Sequence, residues 1–289
     1  MLYMKKSVLL LSLVFTLSTV AAFGFQGFQQ DRGRAALIDL SGSITASGGG
    51  GFSSSGITPE QVRDLNDQAV TQGADAIIYE INSGGGAIVA SKEVYRQIED
   101  VNVPTVCRFR DVAASGGYMI ALGCDEIVAD SASLTGSIGV RSSYLEYSGL
   151  MEKLGVEYVN ISKGDLKGVA SPYQNISEEE REVLQGQVDT LHRDFVEQVE
   201  TERNLTESQV ENVSSSQPFL GSDAEKLGLV DDLGGRDEAV EAGENLTDME
   251  LSTFEVETES DFSVLSLLSA DFSIGGLFGS SSPLKASIF

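Results

Sequence analysis

One histidine, His192, is all that a chain of 289 residues offers for imidazole chemistry. It falls in Leu191-His192-Arg193 on a charged helical stretch and reads as a surface or oligomer-contact residue. A serine activated in this chain therefore has to look to lysine for its base, which sets aside a Ser-His-Asp triad. Basic residues are scarce as well. With 19 Lys+Arg against 44 Asp+Glu the net charge is −25, which repels phosphate backbones and excludes nucleic acid as a partner. The acidity fits general solubility or, as the preferred reading, a halophilic setting in which salt screens the repulsion between hydrated carboxylates. The only two cysteines, Cys107 and Cys124, lack metal-ligand spacing. A disulfide between them is open in an oxidising compartment. A helix packed on a strand, however, holds its Cα atoms about 10 Å away, and two buried thiols are the expectation. No metal ion or cofactor is implied.

What is present begins with a membrane signal. Lys5 and Lys6 precede an uncharged run from Ser7 to Gln30, whose apolar part, Val8 to Phe25, reaches the length of about 18 residues that a bilayer span requires. Val20-Ala21-Ala22 is only a fair cleavage site, so an uncleaved single-pass anchor is preferred over a signal peptide. The basic residues before the span place the N-terminus in the cytoplasm and the catalytic domain outside the cell membrane. Five of the eight asparagines, Asn160, Asn175, Asn204, Asn212 and Asn245, head Asn-x-Ser/Thr triplets, which agrees with extracytoplasmic glycosylation; abundant Ser and Thr are the plainer explanation.

The expected organisation is an anchor at 1–30, a catalytic domain at 31–248, and a C-terminal strand and apolar tail at 249–289. The 41% hydrophobic content supports one core, and no long polar linker divides it. Phe262, Leu265, Leu268 and Phe272 suit the tail to docking on a neighbouring protomer or the membrane, a disordered tail being the alternative.

Strand and helix signals alternate along the domain. Ala35 to Leu40 is a short apolar strand, followed by a Gly/Ser-rich loop from Ser41 to Gly56. Thr58-Pro59-Glu60-Gln61 supplies an N-cap and a first-turn proline to a helix. Ala76 to Ile81 is a strand, Gly84 to Gly86 a turn, and Val89 to Glu99 a helix. Thr105 to Phe109 is a strand leading to a helix near Ser115. Glu126 to Ala129 and Val156 to Ile161 read as further strands, Ser177 to Glu202 as a long charged helix, and Ser222-Asp223-Ala224-Glu225 as another helix start. Repeated strand-turn-helix units predict a parallel α/β fold.

Both Gly84-Gly85-Gly86 and Gly116-Gly117 leave a strand end, where the backbone turns sharply and can present N–H groups to a developing oxyanion. Ser115 lies at the second turn and would gain from the helix dipole. A flexible turn is what the glycines alone would mean. A lysine acting as base must be neutral, a state that an apolar site favours; Lys167 in Gly164-Asp165-Leu166-Lys167 is the candidate and Lys163 its rival.

Asn82-Ser83-Gly84-Gly85-Gly86, Ala113-Ala114-Ser115-Gly116-Gly117-Tyr118, Thr135-Gly136-Ser137-Ile138-Gly139-Val140, Gly164-Asp165-Leu166-Lys167 and Ala224-Glu225-Lys226-Leu227-Gly228-Leu229-Val230-Asp231 occur in this order. The set resembles the signal peptide peptidase A family of membrane-bound serine proteases, over Ala35 to Gly235. The resemblance implies a Clp-protease/crotonase-like spiral. It assigns Ser115 as nucleophile, Lys167 as general base, Gly86 and Gly116 as oxyanion-hole donors, and Ser137 as the hydroxyl orienting the lysine. It further implies a homo-oligomer in which serine and lysine come from neighbouring protomers, acting on signal-peptide remnants or other unfolded apolar peptides. Gly84 stands where the family usually has proline, so a looser turn is expected. Ser214 to Phe219 replaces a glycine-containing turn, with an effect expected on a surface loop only. The alternatives are a non-catalytic scaffold of the same fold and a protease for a stomatin-like membrane partner. A crotonase-type acyl-CoA enzyme leaves Ser115 and Lys167 unexplained.

Overall fold

The computed structural model describes residues 32–47 and 56–257. The expected anchor at 1–30 and the apolar tail lie outside them, and among the described residues no helix is long and apolar enough to cross a membrane. The described residues up to Val256 belong to one compact unit.

The strands are β1 (Arg32–Ser41), β2 (Ser43–Ile44), β3 (Gly56–Ile57), β4 (Ala76–Ser83), β5 (Thr105–Ala114), β6 (Glu126–Ala129), β7 (Leu134–Gly136), β8 (Pro218–Leu220), β9 (Asp232–Leu233) and β10 (Glu250–Glu255). The helices are α1 (Pro59–Thr71), α2 (Ile88–Glu99), α3 (Gly116–Ala121), α4 (Ser148–Leu154), α5 (Glu178–Glu202), α6 (Glu207–Val213), α7 (Gly221–Lys226) and α8 (Arg236–Thr247). The main sheet runs β10-β1-β4-β5-β6-β9 with all neighbours parallel; β7 pairs with β5 and, antiparallel, with β8. The mixed α/β architecture expected from the alternating signals is present.

Strand β4 is buried on both faces, as a central parallel strand should be. Ile77, Tyr79 and Ile81 join Ile38, Leu40 and Phe109 in the larger core, beneath Leu65 of α1, Val94 of α2 and Phe195 of α5. On the other face Ala35, Leu37, Ile78 and Val106 pack with Ala239 and Ala242 of α8. The Thr58 start signal holds, Thr58 Oγ1 accepting from Gln61 N–H at 3.2 Å, and Ser177 and Glu180 form a reciprocal capping box at the head of α5; the start expected at Ser222 lies one residue earlier, with Leu220 at the N-cap and no side-chain cap. In the core, Tyr79 Oη donates to Asn66 Oδ1 at 2.8 Å, and Asn66 Nδ2 donates to the Gln97 carbonyl at 3.0 Å. This chain of bonds ties β4, α1 and α2 together.

Two expectations are corrected. Cys107 and Cys124 form a disulfide, with Cα atoms 5.7 Å apart. The buried-thiol expectation assumed that the helix after Ser115 reached Cys124. Helix α3 instead ends at Ala121, and Cys124 sits in the turn that leads into β6, the strand lying beside Cys107. The bridge closes a 17-residue separation containing Ser115. Replacing both cysteines by serine is expected to lower stability by about 3 kcal/mol, read as a lower denaturant midpoint, with a slope no smaller than the parent's because the unbridged denatured chain expands.

The second correction concerns Val156 to Ile161, which forms no strand. The segment belongs to an excursion, residues 141–176, that leaves the domain after β7 and returns at α5; Val159 is 70% and Ile161 95% exposed. Its alternating apolar pattern meets no partner strand among the described residues.

Candidate active site

Between Ile81↔Phe109 and Ser83↔Ala113 the β4–β5 register shifts, giving β5 two extra residues over this interval. The bulge lets β5 exchange neighbours: its first half pairs with β6 and its end, Val112 to Ala114, with β7. Ser115 follows at once with φ 54° and ψ −120°, a backbone conformation that an L side chain seldom adopts. The surroundings hold it there. Its N–H donates to the Gly136 carbonyl at 2.9 Å, and its own carbonyl accepts from the N–H groups of Tyr118 and Met119 at 3.0 and 2.9 Å. Helix α3 is buried throughout, and Tyr118 Oη donates to the Leu229 carbonyl at 2.9 Å. Burial pushes the Tyr118 phenol well above its ordinary pKa, so it remains a donor at any working pH. The short helix behind Ser115 is thus a fixed support.

The glycine turn after β4 lies against this support. A Cβ on Gly116 would stand 3.1 Å from Gly86 N and 2.5 Å from Ser91 Oγ, while one on Gly85, at φ 96°, would stand 2.6 Å from Gly116 N. The Gly86 and Gly116 amides are therefore near neighbours on the two turns, next to Ser115. Among the described residues neither N–H donates to another protein group. Ile44 of β2 covers the turn from outside, donating its N–H to the Gly85 carbonyl at 3.1 Å and accepting from Ala87 N–H at 2.8 Å. A Cβ on Gly86 would collide with that Ile44 carbonyl. Gly84 has open space where a Cβ would go, so a side chain there is not what shapes the turn. On the oxyanion-hole role that the resemblance assigns to Gly116, Gly116→Ala is expected to lower kcat for peptide hydrolysis by folded variant protein by about a hundred-fold, because a methyl group 2.5 Å from Ser91 Oγ and 3.1 Å from Gly86 N would displace the turn.

Ser137 lies next to Gly136, whose carbonyl holds Ser115 N–H. It has φ 49°, and its own N–H donates to the Gln217 carbonyl at 3.1 Å. The fold therefore gathers Ser115, Gly86, Gly116 and Ser137 around one pair of turns. Lys167 sits elsewhere in the chain, exposed on the 141–176 excursion, with its backbone N–H donating to the Gly164 carbonyl at 3.2 Å. Among the described residues its side chain enters no hydrogen bond or ion pair, with Ser115 or otherwise, and the same holds for Lys163. No cluster of potential metal ligands occurs among the described residues.

Two more residues depart from expectation. His192, expected as a surface or oligomer-contact residue, is half-buried, and its Nε2 lies 3.3 Å from Ser216 Oγ of its own chain. Ser216 Oγ donates to the Ile138 carbonyl at 2.9 Å, so Ser214 to Phe219 reaches the segment beside Ser115 instead of shaping a surface loop only. Ile44 and Ser91 were not singled out from sequence. Ser91, fully buried with Oγ donating to the Ala87 carbonyl at 3.0 Å, carried a signal in the glycine it faces, but nothing local revealed which glycine that was.

The model of peptidase family S49 matches residues 97–250, more than half of the chain. A Methanocaldococcus jannaschii protein bearing a protease name is 34% identical over 67% of this chain and 65% of its own length. An Enterococcus faecium protein bearing the name signal peptide peptidase SppA is 36% identical over 63% of this chain and 53% of its own. The chain thus spans less than two thirds of either relative. Among solved structures, a membrane-bound stomatin-specific protease captured with a substrate peptide superposes with a TM-score of 0.53 at 13% identity, covering 82% of this chain and 98% of its own, a likeness of fold. On the family match the chain belongs to peptidase family S49.

Proposed function

We propose that this chain is a membrane-anchored serine endopeptidase in which Ser115 is the nucleophile and Lys167 of a neighbouring protomer the general base. The observation that carries the reading is Ser115 held in a strained turn beside two amides, Gly86 and Gly116, that donate to no protein group among the described residues. In the proposed reaction Ser115 Oγ attacks a peptide carbonyl while Lys167 Nζ takes its proton. The new oxyanion accepts hydrogen bonds from the Gly86 and Gly116 N–H groups. Lysine then passes the proton to the leaving amine, and water hydrolyses the acyl-enzyme. Ser137, beside Ser115 in the fold, would orient the incoming ammonium.

Sharing the pair between protomers accounts for the excursion. Lys167 rides on a segment whose Leu145, Leu154, Val159 and Ile161 are 69 to 95% exposed in the single chain, an apolar surface suited to a second copy. The proposed substrates are signal-peptide remnants or other unfolded apolar segments, in line with the name of the Enterococcus faecium relative; cleavage of a stomatin-like membrane partner is the narrower form of the same activity. Extracytoplasmic placement is supported by the Cys107–Cys124 disulfide and by the exposure of all five asparagines in Asn-x-Ser/Thr triplets. On this reading, mass spectrometry of protein from its native host is expected to find glycan on at least one of Asn160, Asn175, Asn204, Asn212 and Asn245; five bare asparagines would remove that support.

The function is tested by hydrolysis of a quenched apolar peptide at high salt by the full chain in detergent, with a folded protein as control substrate. Cleavage of the peptide alone is the expected result. No cleavage of either by an intact oligomer would leave the scaffold reading in possession.

A further inference from the structure

We propose that His192 and Ser216 form a latch at the root of the Lys167-bearing excursion, acting as positioning residues for the reaction; the inference rests on the Ser115–Lys167 reading. The excursion leaves the domain just after Gly139 and returns at Ser177 into α5, so its two roots are the 137–139 segment and that helix. Ser216 touches the first root. Its Oγ donates to the Ile138 carbonyl at 2.9 Å, and a Cβ on Gly139 would come within 2.6 Å of the same oxygen. His192 lies on the helix into which the excursion returns, fifteen residues after Ser177 and two turns before the buried Val199, so α5 carries the contact back to the second root. Because the Ser216 proton is committed to Ile138, the hydroxyl accepts from His192 Nε2–H at 3.3 Å. Both the neutral Nε2–H tautomer and the imidazolium supply that donor.

The local backbone supports a selected feature rather than a chance contact. Ser216 has φ +60°, a region that favours glycine, and its N–H is already used by the Val213 carbonyl at 3.2 Å. Next to it, Gln217 accepts from Ser137 N–H at 3.1 Å, continuing the β7–β8 ladder by one bond. The following ladder bond is made by the Ser216 side chain instead of its backbone. That substitution is what brings His192 within reach. A glycine at 216 would relieve the backbone and lose both side-chain bonds. The latch thus joins α5 to the residues flanking Ser115, and through the two roots sets the direction in which Lys167 is carried.

The full chain is compared as parent, Ser216→Gly, His192→Ala and His192→Gln, with Ser115→Ala and Lys167→Ala as references. Ser216→Gly and His192→Ala are each expected to lower kcat by about five- to ten-fold with KM within about two-fold, the pattern of a misplaced catalytic group. His192→Gln, whose amide can donate, is expected to restore most of the loss. Ser216→Gly should melt no lower than the parent, since glycine suits this φ, and its amides at 138–140 should exchange faster with deuterated water. Parent-level kcat or parent-level exchange in Ser216→Gly overturns the latch, as does a fall in melting temperature that parallels the fall in kcat. Retained activity in Ser115→Ala or Lys167→Ala instead overturns the shared-pair reading, and the exchange result then decides alone whether the two residues hold the root.

Discussion

Ser115→Ala is expected to lower kcat/KM by at least about a thousand-fold while leaving the thermal midpoint and the oligomer unchanged. The expectation follows from what Ser115 does and does not touch. Its backbone is held by Gly136, Tyr118 and Met119, contacts that alanine keeps, whereas its hydroxyl makes no hydrogen bond among the described residues. Alanine has the same Cβ and suffers the same positive φ, so the change removes a nucleophile without altering the turn. The residual rate would be that of an oxyanion site without an attacking group. A loss of activity accompanied by unfolding would instead make Ser115 a structural residue.

The second large effect is a recovery. Lys167→Ala and Ser115→Ala are each expected to be inactive alone, yet mixing them through a dissociation and reassembly step should restore activity. In a ring of heterologous contacts each site needs serine from one protomer and lysine from the next, so random mixing of the two variants leaves about a quarter of the sites intact. The single chain motivates the test, because Ser115 lies in the buried body of the domain and Lys167 on an exposed excursion with no bond between them. Recovery approaching a quarter of parental activity supports a shared site. No recovery, with mixed oligomers demonstrated by mass, would place both groups in one protomer.

Much of this arrangement was legible in the residues. The continuous apolar run at Ala76 to Ile81 marks a doubly covered strand, Thr58-Pro59 marks a helix start, the charged run from Ser177 to Glu202 marks a long helix, and Gly116 after Ser115 marks a close backbone approach. What escaped depends on partners distant in sequence. The disulfide was missed because α3 is only six residues long, the chain then squeezing past α2 at Gly123, where a Cβ would stand 2.6 Å from the Tyr95 carbonyl, before entering β6. The alternation at Val156 to Ile161 is real, but a pattern cannot supply a neighbouring strand. His192 and Ser216 meet across 24 positions through side chains, a contact that leaves no local signature. The placement of β10 beside β1 is likewise a matter of tertiary order.

The central claim, that Ser115 is a nucleophile activated by Lys167, is tested most directly by labelling the full chain with a serine-directed phosphonate probe and mapping the adduct by mass. The account predicts one adduct, on Ser115, formed at parental rate in the wild type and at least about a hundred-fold more slowly in Lys167→Ala. An adduct on another serine, or labelling of Ser115 that is indifferent to Lys167, would contradict it.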